Sequence, residues 1–538
     1  MPDPIALDHE VIIIGAGVCG IYQLYRLREL GIETTVLEAG DGPGGTWYWN
    51  RYPGARFDSE SYTYGYSFSK ELLDEWDWSE RFSAQPETLR YLEHVVEKFD
   101  LRRDMQFGCK VVRSEWNDAD RYWTVHLADG RALTCRWLMT AIGLLSAPTE
   151  PNIVGTGTFE GQAWHTYQWP KEPVELASKR VAIIGTGATG VQLIPVVAEA
   201  GAELTVFQRR PNWCAPLHNG PLSTEEMAEI RSNYDVIFEK CAQTPGGFMH
   251  EPDRRPFLSL TAEERREKWE DLYAQPGFGI WLSNFLEIFV DEDANAELSA
   301  FIAEKIRDRV DDPIIAEKLI PTDHGFGTQR VPMETRYYEA YNRDNVTLVD
   351  VSETPIVEIE ATGIRTTTDL HEFDIIIYAT GFDAVVGSFD RMEFVGIDGQ
   401  TLRDKWAQGP VTYLGIGAQG FPNLITLAGP TAGSVSTNFP RGIETGVEWA
   451  TNLMAHLRDE GLTRIEALPE SEVEWTKHVA SLYERLLMRH TKAWFNGYNS
   501  NVEGRDKPRH LIYNGGNPKY RKLIDAEAEA GYPGFTLD

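Results

Sequence analysis

The run VIIIGAGVCG at positions 11–20 returns as VAIIGTGATG at 181–190. In both places an apolar run feeds directly into G-x-G-x-x-G, the pattern of a buried parallel strand turning sharply into a helix. A helical stretch follows each copy, then a second strand, TTVLE at 34–38 and LTVFQR at 204–209. Strand, helix and strand in that order make a right-handed crossover, the opening of a doubly wound sheet. A chain carrying this unit twice is expected to be α/β, with two Rossmann-like (doubly wound) dinucleotide-binding domains.

The two loops differ in the nucleotide they favour. In the first, Gly15 permits the turn, Gly17 lets a pyrophosphate approach the backbone, and Gly20 allows close helix–strand packing. The helix N-terminus offers unpaired N–H groups to the phosphates. Glu38, at the end of the second strand, can accept from ribose hydroxyls, which suits an adenosine without a 2′-phosphate, as in FAD or NAD. GPGGTW at 42–47 resembles a flavoprotein pattern in which the backbone passes close to the flavin. FAD is therefore the expected occupant, with Thr46 and Trp47 among its contacts.

In the second loop Gly185, Gly187 and Gly190 repeat the phosphate logic, with Thr186, Thr189 and Gln192 as further candidate contacts. The next strand ends in Gln208, Arg209 and Arg210, with no carboxylate. An acid there would repel a 2′-phosphate, whereas Arg209, helped by Arg210, can clamp one. NADP(H) is the expected occupant.

TAIG at 140–143 and YATG at 378–381 echo each other, each after an apolar run that reads as a late parallel strand. They imply a discontinuous arrangement: an FAD-binding domain from 1–150 and 382–538, and an NADP-binding domain from 151–222 and 325–381. Residues 223–324 read as a helical insertion, with capping boxes at Ser223/Glu226 and Thr261/Glu264. Leu298, Phe301, Ile302, Ile306 and Val310 share one face of a helix there. Amphipathic helices at 444–461 and 471–490 are expected to pack on the first domain.

A net charge of −31 disfavours nucleic acid and anionic membranes as partners. No apolar run is long enough to span a bilayer, and the first residues are acidic where a secretory signal is basic. The five cysteines form no C-x-x-C and have no nearby histidine ligands, which argues against a disulfide framework, a metal site or a dithiol redox centre. A cytoplasmic location is expected.

Three further stretches carry a family resemblance. FEGQAWHTYQWP at 159–170 resembles the F-x-G-x-x-x-H-x-x-x-W-P fingerprint of the Baeyer–Villiger monooxygenases. FGTQRVPMETRYY at 326–338 and GTWYWNRYPGARFDSES at 45–61 resemble two other motifs of that family. The resemblance implies that NADPH reduces FAD and that O2 gives a flavin C4a-peroxide. This attacks a ketone and leaves an ester or lactone plus water. Ketone and O2 are then the small-molecule partners, with no protein partner required.

By the same resemblance Arg330 is the catalytic arginine, and Asp58, close to the flavin, holds it. A lone arginine in a loop is otherwise a surface charge, and Asp58 could simply cap a helix. Tyr64 is placed against the cofactor and Trp494 against NADP. Phe159, Gly161, His165, Trp169 and Pro170 form the linker fingerprint, in which His165 supports catalysis indirectly. The alternative is a flavin-dependent N- or S-monooxygenase, which shares both loops and a similar linker but needs no catalytic arginine.

Two departures stand out. Gln329 occupies a position where many members have a lysine on the NADP phosphate, which implies a weaker preference for NADPH over NADH. WFNGYNSNVEGR at 494–505 has two extra residues before the valine, and Glu503 replaces a proline. This cofactor-covering loop, near 494–507, is expected to be more mobile and to shape a pocket for bulkier ketones.

Overall fold

The computed structural model describes residues 6–433 and 437–538. Among these residues two large sheets dominate. The first runs in the order Glu393–Val395, Val111–Asn117, Tyr122–Leu127, Ala132–Thr140, His9–Ile14, Thr34–Leu37 and Met105–Gln106. The long strand Ala132–Thr140 divides its partners. Its first half pairs antiparallel with Tyr122–Leu127, and its last three residues pair in parallel with Leu424–Thr426. Strands from beyond residue 390 thus return to the sheet that the N-terminus began.

The second sheet is wholly parallel, in the order Val346–Asp350, Glu203–Gln208, Arg180–Ile184, Ile375–Tyr378 and Gln162–His165. Its central strands are buried on both faces, so they read as continuous apolar runs rather than alternating ones. Gln162–His165 is an edge strand, and it lies inside the stretch that the sequence reads only as a linker. Four residues, two of them exposed and only His165 buried, give too short a pattern to announce a strand.

Gly15 and Gly185 make the same turn at the head of the two sheets, with φ of 104° and 112°. A Cβ on either would lie 2.6 Å and 2.4 Å from the carbonyl oxygens of Ala141 and Ala379, the strands next in each sheet. The turn is therefore closed to any other residue.

Between the strands Glu203–Gln208 and Val346–Asp350 lie the helices Thr224–Ser232, Tyr234–Gln243, Ala262–Tyr273, Glu292–Arg309 and Pro313–Leu319. Both capping boxes form, at Ser223 with Glu226 and at Thr261 with Glu264. Leu298, Phe301, Ile302 and Ile306 of Glu292–Arg309 are buried in one core with the second sheet, each side chain contributing on the order of 2 kcal/mol. The helix Phe439–Asp459 lies along Val18–Glu29 of the first sheet's crossover, joined by Gln23 to Thr451 (3.1 Å) and Arg26 to Glu448 (2.9 Å).

The last long amphipathic stretch is shorter than its pattern suggests. The helix is Pro469–Tyr483, and Leu487–His490 is a single tight turn. The chain is already extended at Leu486, and beyond it buried Asn496 donates to the carbonyls of Thr491 (2.6 Å) and Met488 (3.4 Å), which fixes the turn. All five cysteines are buried and free. Among the described residues no helix is long and apolar enough to cross a membrane, and no three metal-binding side chains converge.

Candidate active site

The first glycine loop and the GPGGTW turn lock together backbone to backbone. Gly44 N–H donates to the Ala16 carbonyl at 2.9 Å. A Cβ on Gly45, whose φ is 53°, would stand 2.7 Å from the Gly17 Cα. Glu38 is buried, and its two oxygens accept from Ala16 N–H (2.9 Å) and Gly40 N–H (2.8 Å). Each carboxylate oxygen accepts more than one hydrogen bond, so the fixed carboxylate remains able to receive ribose hydroxyls.

Beyond the turn, Thr46 opens a one-turn helix and Trp47 points into an aromatic cluster. Trp47 Nε1 donates to the Tyr64 hydroxyl at 3.0 Å, and Tyr64 stacks on Phe57 at 4.1 Å. Burial pushes the Tyr64 phenol well above its usual range, so it stays protonated. This cluster fixes the residue that follows Phe57.

That residue is Asp58, 3% exposed. Its Oδ2 accepts from Arg330 Nη2 at 2.8 Å and from Met333 N–H at 3.2 Å, while Oδ1 is buried without a partner in the protein. Arg330 Nη1 donates to the Val331 carbonyl at 2.5 Å, and the guanidinium lies 5.4 Å from the Phe278 ring centre. The segment carrying Arg330 is braced behind. Met333–Glu334 pairs with Ala215–Pro216, and fully buried Glu334 meets Arg309 at 2.7 Å. Phe278, from the insertion, has no local sequence signal, since one phenylalanine among many announces only core.

At the second loop Gly187 caps the helix Ala188–Glu199, and a Cβ there would meet nothing within 4 Å. That open approach, with free N–H groups behind it, fits a pyrophosphate. Thr186 Oγ1 donates to the Arg210 carbonyl at 3.0 Å, tying the loop to the next strand end. Arg210 itself is engaged, by Asp323 (3.0 Å) and the Lys492 carbonyl (2.8 Å). Arg209 Nη1 donates to Ser500 Oγ at 2.6 Å, and among the described residues no carboxylate lies in ion-pair range of it. Gln329 Nε2 is a buried donor without a partner in the protein, which fits a site meant for an anion.

Thr189 and Gln192 lie on the side of this helix that faces the first sheet's loops. Gln192 accepts from the Tyr52 hydroxyl (2.8 Å) and donates to the Arg56 carbonyl (3.0 Å). Its amide is spent joining the two halves of the molecule, a role that a glycine-loop motif does not signal.

The fingerprint residues meet the chain where it passes between sheets. His165 Nδ1 accepts from Tyr167 N–H at 3.1 Å, and Nε2 lies 3.2 Å from the Gly381 carbonyl, so the proton belongs on Nε2. Burial pushes its pKa down to about 4, partly opposed by that carbonyl. The ring stands edge-on to Phe382 at 5.7 Å. Trp169 packs edge-on to Trp164 at 5.4 Å, ahead of half-buried Pro170. Gly161 is obligatory, because a Cβ there would lie 2.6 Å from the Phe159 ring and 2.7 Å from the Asp374 carbonyl.

The two crossings run side by side, with Thr149 N–H donating to the Gly381 carbonyl at 2.9 Å. Asn499 Nδ2 reaches both, at Thr149 Oγ1 (3.0 Å) and the Phe382 carbonyl (3.2 Å). Arg505 pairs with Asp383 at 3.3 Å and with Asp390. The segment expected to be loose is thus pinned at several points. At its start, Trp494 stands edge-on to Phe495 at 4.2 Å, and both pack on the first sheet's core.

Two dinucleotide-type sheets around a buried carboxylate–guanidinium pair define a flavoprotein oxidoreductase. Residues 12–244 match the family described as pyridine nucleotide-disulphide oxidoreductase. The chain is 45% identical to 2-oxo-Δ3-4,5,5-trimethylcyclopentenylacetyl-CoA monooxygenase of Pseudomonas putida, over 98% of each chain. It is 41% identical to acetone monooxygenase (methyl acetate-forming) of Gordonia sp. (strain TY-5), over 98% of this chain and 99% of that one. A crystal structure of OTEMO in complex with FAD and NADP superposes with a TM-score of 0.95 at 44% identity, covering 99% of this chain and 100% of that one. The chain belongs to the Baeyer–Villiger monooxygenases.

Proposed function

We propose that this protein is an FAD- and NADPH-dependent monooxygenase that converts a ketone into an ester or lactone. FAD lies at Gly15, Gly17, Gly20 and Glu38, and NADP(H) at Gly185, Gly187 and Gly190. Bound FAD, once reduced by NADPH, supplies the chemistry that activates O2 for transfer to the ketone. Glu38 orients the adenosine ribose of the first nucleotide. Arg209 takes the 2′-phosphate of the second, since Arg210 is neutralised by Asp323. The reading takes the FAD-binding domain as 1–150 with 382–538 and the NADP-binding domain as 151–222 with 325–381, carrying the insertion 223–324.

The observation that carries the reading is the Asp58–Arg330 pair, 2.8 Å apart with the carboxylate buried. A guanidinium is a charge that does not give up its proton, so it stabilises negative oxygen during attack on a carbonyl without quenching it. One preorganised donor of this kind contributes about 3–4 kcal/mol to the barrier. Asp58, fixed by Met333 N–H, holds the arginine at one angle. The Phe278 ring lies against the guanidinium and helps to hold its position.

An N- or S-oxygenating enzyme does not require an arginine so held, and that alternative is the less supported one. The relatives act on an acyl-CoA-linked cyclopentenone and on acetone, so ketones from small to bulky are the substrate class. The reading needs no protein partner, and buried thiols without disulfides suit a cytoplasmic setting. Arg330→Ala tests it. Ester formation should fall by about 100- to 1000-fold while NADPH still bleaches the flavin, and ester formation at the native rate would overturn the assignment.

A further inference from the structure

Ser500 lies in the stretch 498–501, where the 494–505 segment is two residues longer than the family pattern. Ser500 Oγ accepts a hydrogen bond from Arg209 Nη1 at 2.6 Å. Arg209 follows the strand Glu203–Gln208, at the place where a doubly wound fold reads the adenosine 2′-position. The same strand end is touched a second time, by the Lys492 carbonyl on Arg210 at 2.8 Å. The lengthened segment therefore reaches from the first sheet's core at Trp494 to the phosphate-reading corner of the second sheet.

A hydroxyl that accepts from a guanidinium keeps its own O–H to donate. Polarised in this way, that O–H and the remaining guanidinium N–H groups can close on one anion together. The corner has need of a donor. Gln329 stands where the family pattern has a lysine, and its buried Nε2 is neutral and unpartnered. Resting on the reading of the second loop as the NADP(H) site, we infer that Ser500 is a further specificity-determining residue. With Arg209 it holds the 2′-phosphate and so closes the 494–505 segment over the phosphorylated cofactor.

The test uses the FAD-loaded enzyme and two fragments, adenosine 2′,5′-bisphosphate and 5′-AMP, with binding measured by calorimetry. Ser500→Ala should weaken the bisphosphate about 5-fold and leave 5′-AMP unchanged, and Ser500→Thr should restore the native value. Arg209→Ala should weaken the bisphosphate about 30-fold. If Arg209→Ala weakens it but Ser500→Ala does not, the inference falls and the reading of the loop stands. Equal weakening of both fragments by Ser500→Ala also overturns it, since the residue would then act on the adenosine. If Arg209→Ala changes nothing, the reading itself falls and takes the inference with it.

Discussion

Asp58 and Arg330 lie 272 positions apart in the chain and 2.8 Å apart in space. One follows the aromatic cluster of the first sheet, and the other sits in a loop braced by the insertion. The pair exists only when both halves of the molecule are in place.

Because Asp58 acts through Arg330, the two should not behave as independent contributions. Asp58→Ala should lower kcat for ketone oxygenation about 10- to 100-fold, through a misplaced guanidinium. The double variant Asp58→Ala/Arg330→Ala should be no slower than Arg330→Ala alone. Steady-state ester production measures both, and additive losses would show that Asp58 has a separate role.

At the nucleotide corner, Arg209→Ala should raise KM for NADPH by at least about 10-fold with little change for NADH, whereas Arg210→Ala should change either less than about 3-fold. Gln329→Lys should lower KM for NADPH about 3- to 10-fold, by adding a charge beside the phosphate. Initial rates with each cofactor decide the matter.

His165 predicts a stability that depends on pH. Its folded pKa of about 4 lies below the ordinary 6.5, so the unfolded chain binds the extra proton between those values. Its contribution is present above pH 6.5 and is lost as pH falls toward 4. From pH 7 to pH 5 this one group should cost about 2 kcal/mol. Urea midpoints at the two pH values should differ less in His165→Gln than in the native protein, and an equal difference would remove His165 from the account.

Gly45→Ala places a methyl group against the Gly17 Cα at a φ of 53°, where the two turns already touch. The strain should open the cradle and weaken FAD by about 10- to 100-fold. The variant should purify with less flavin, measured as the ratio of visible to ultraviolet absorbance, and should keep its helical circular dichroism.

Much of this was legible in the chain. The repeated glycine turns declare themselves because only glycine tolerates the backbone of Gly15 and Gly185, so the pattern is nearly literal. The return to the first sheet could be read from the echo of TAIG and YATG. The Asp58–Arg330 pair followed from motif resemblance, since nothing local to either residue predicts the other. What stayed hidden depends on neighbours distant in sequence. Phe278 gains meaning only from the guanidinium beside it, and Gln192 only from Tyr52 and Arg56 across the boundary. The helix expected to reach 490 stops at Tyr483, and the tight turn beyond it is held by Asn496, farther along the chain.

The contact between Thr149 and Gly381 has a mechanical consequence. It joins the outgoing and returning crossings into one strip, to which His165 is bonded at Gly381 and Asn499 at Thr149 and Phe382. Displacing one crossing from the other would have to break all of these bonds together, so the strip holds as a single cooperative unit.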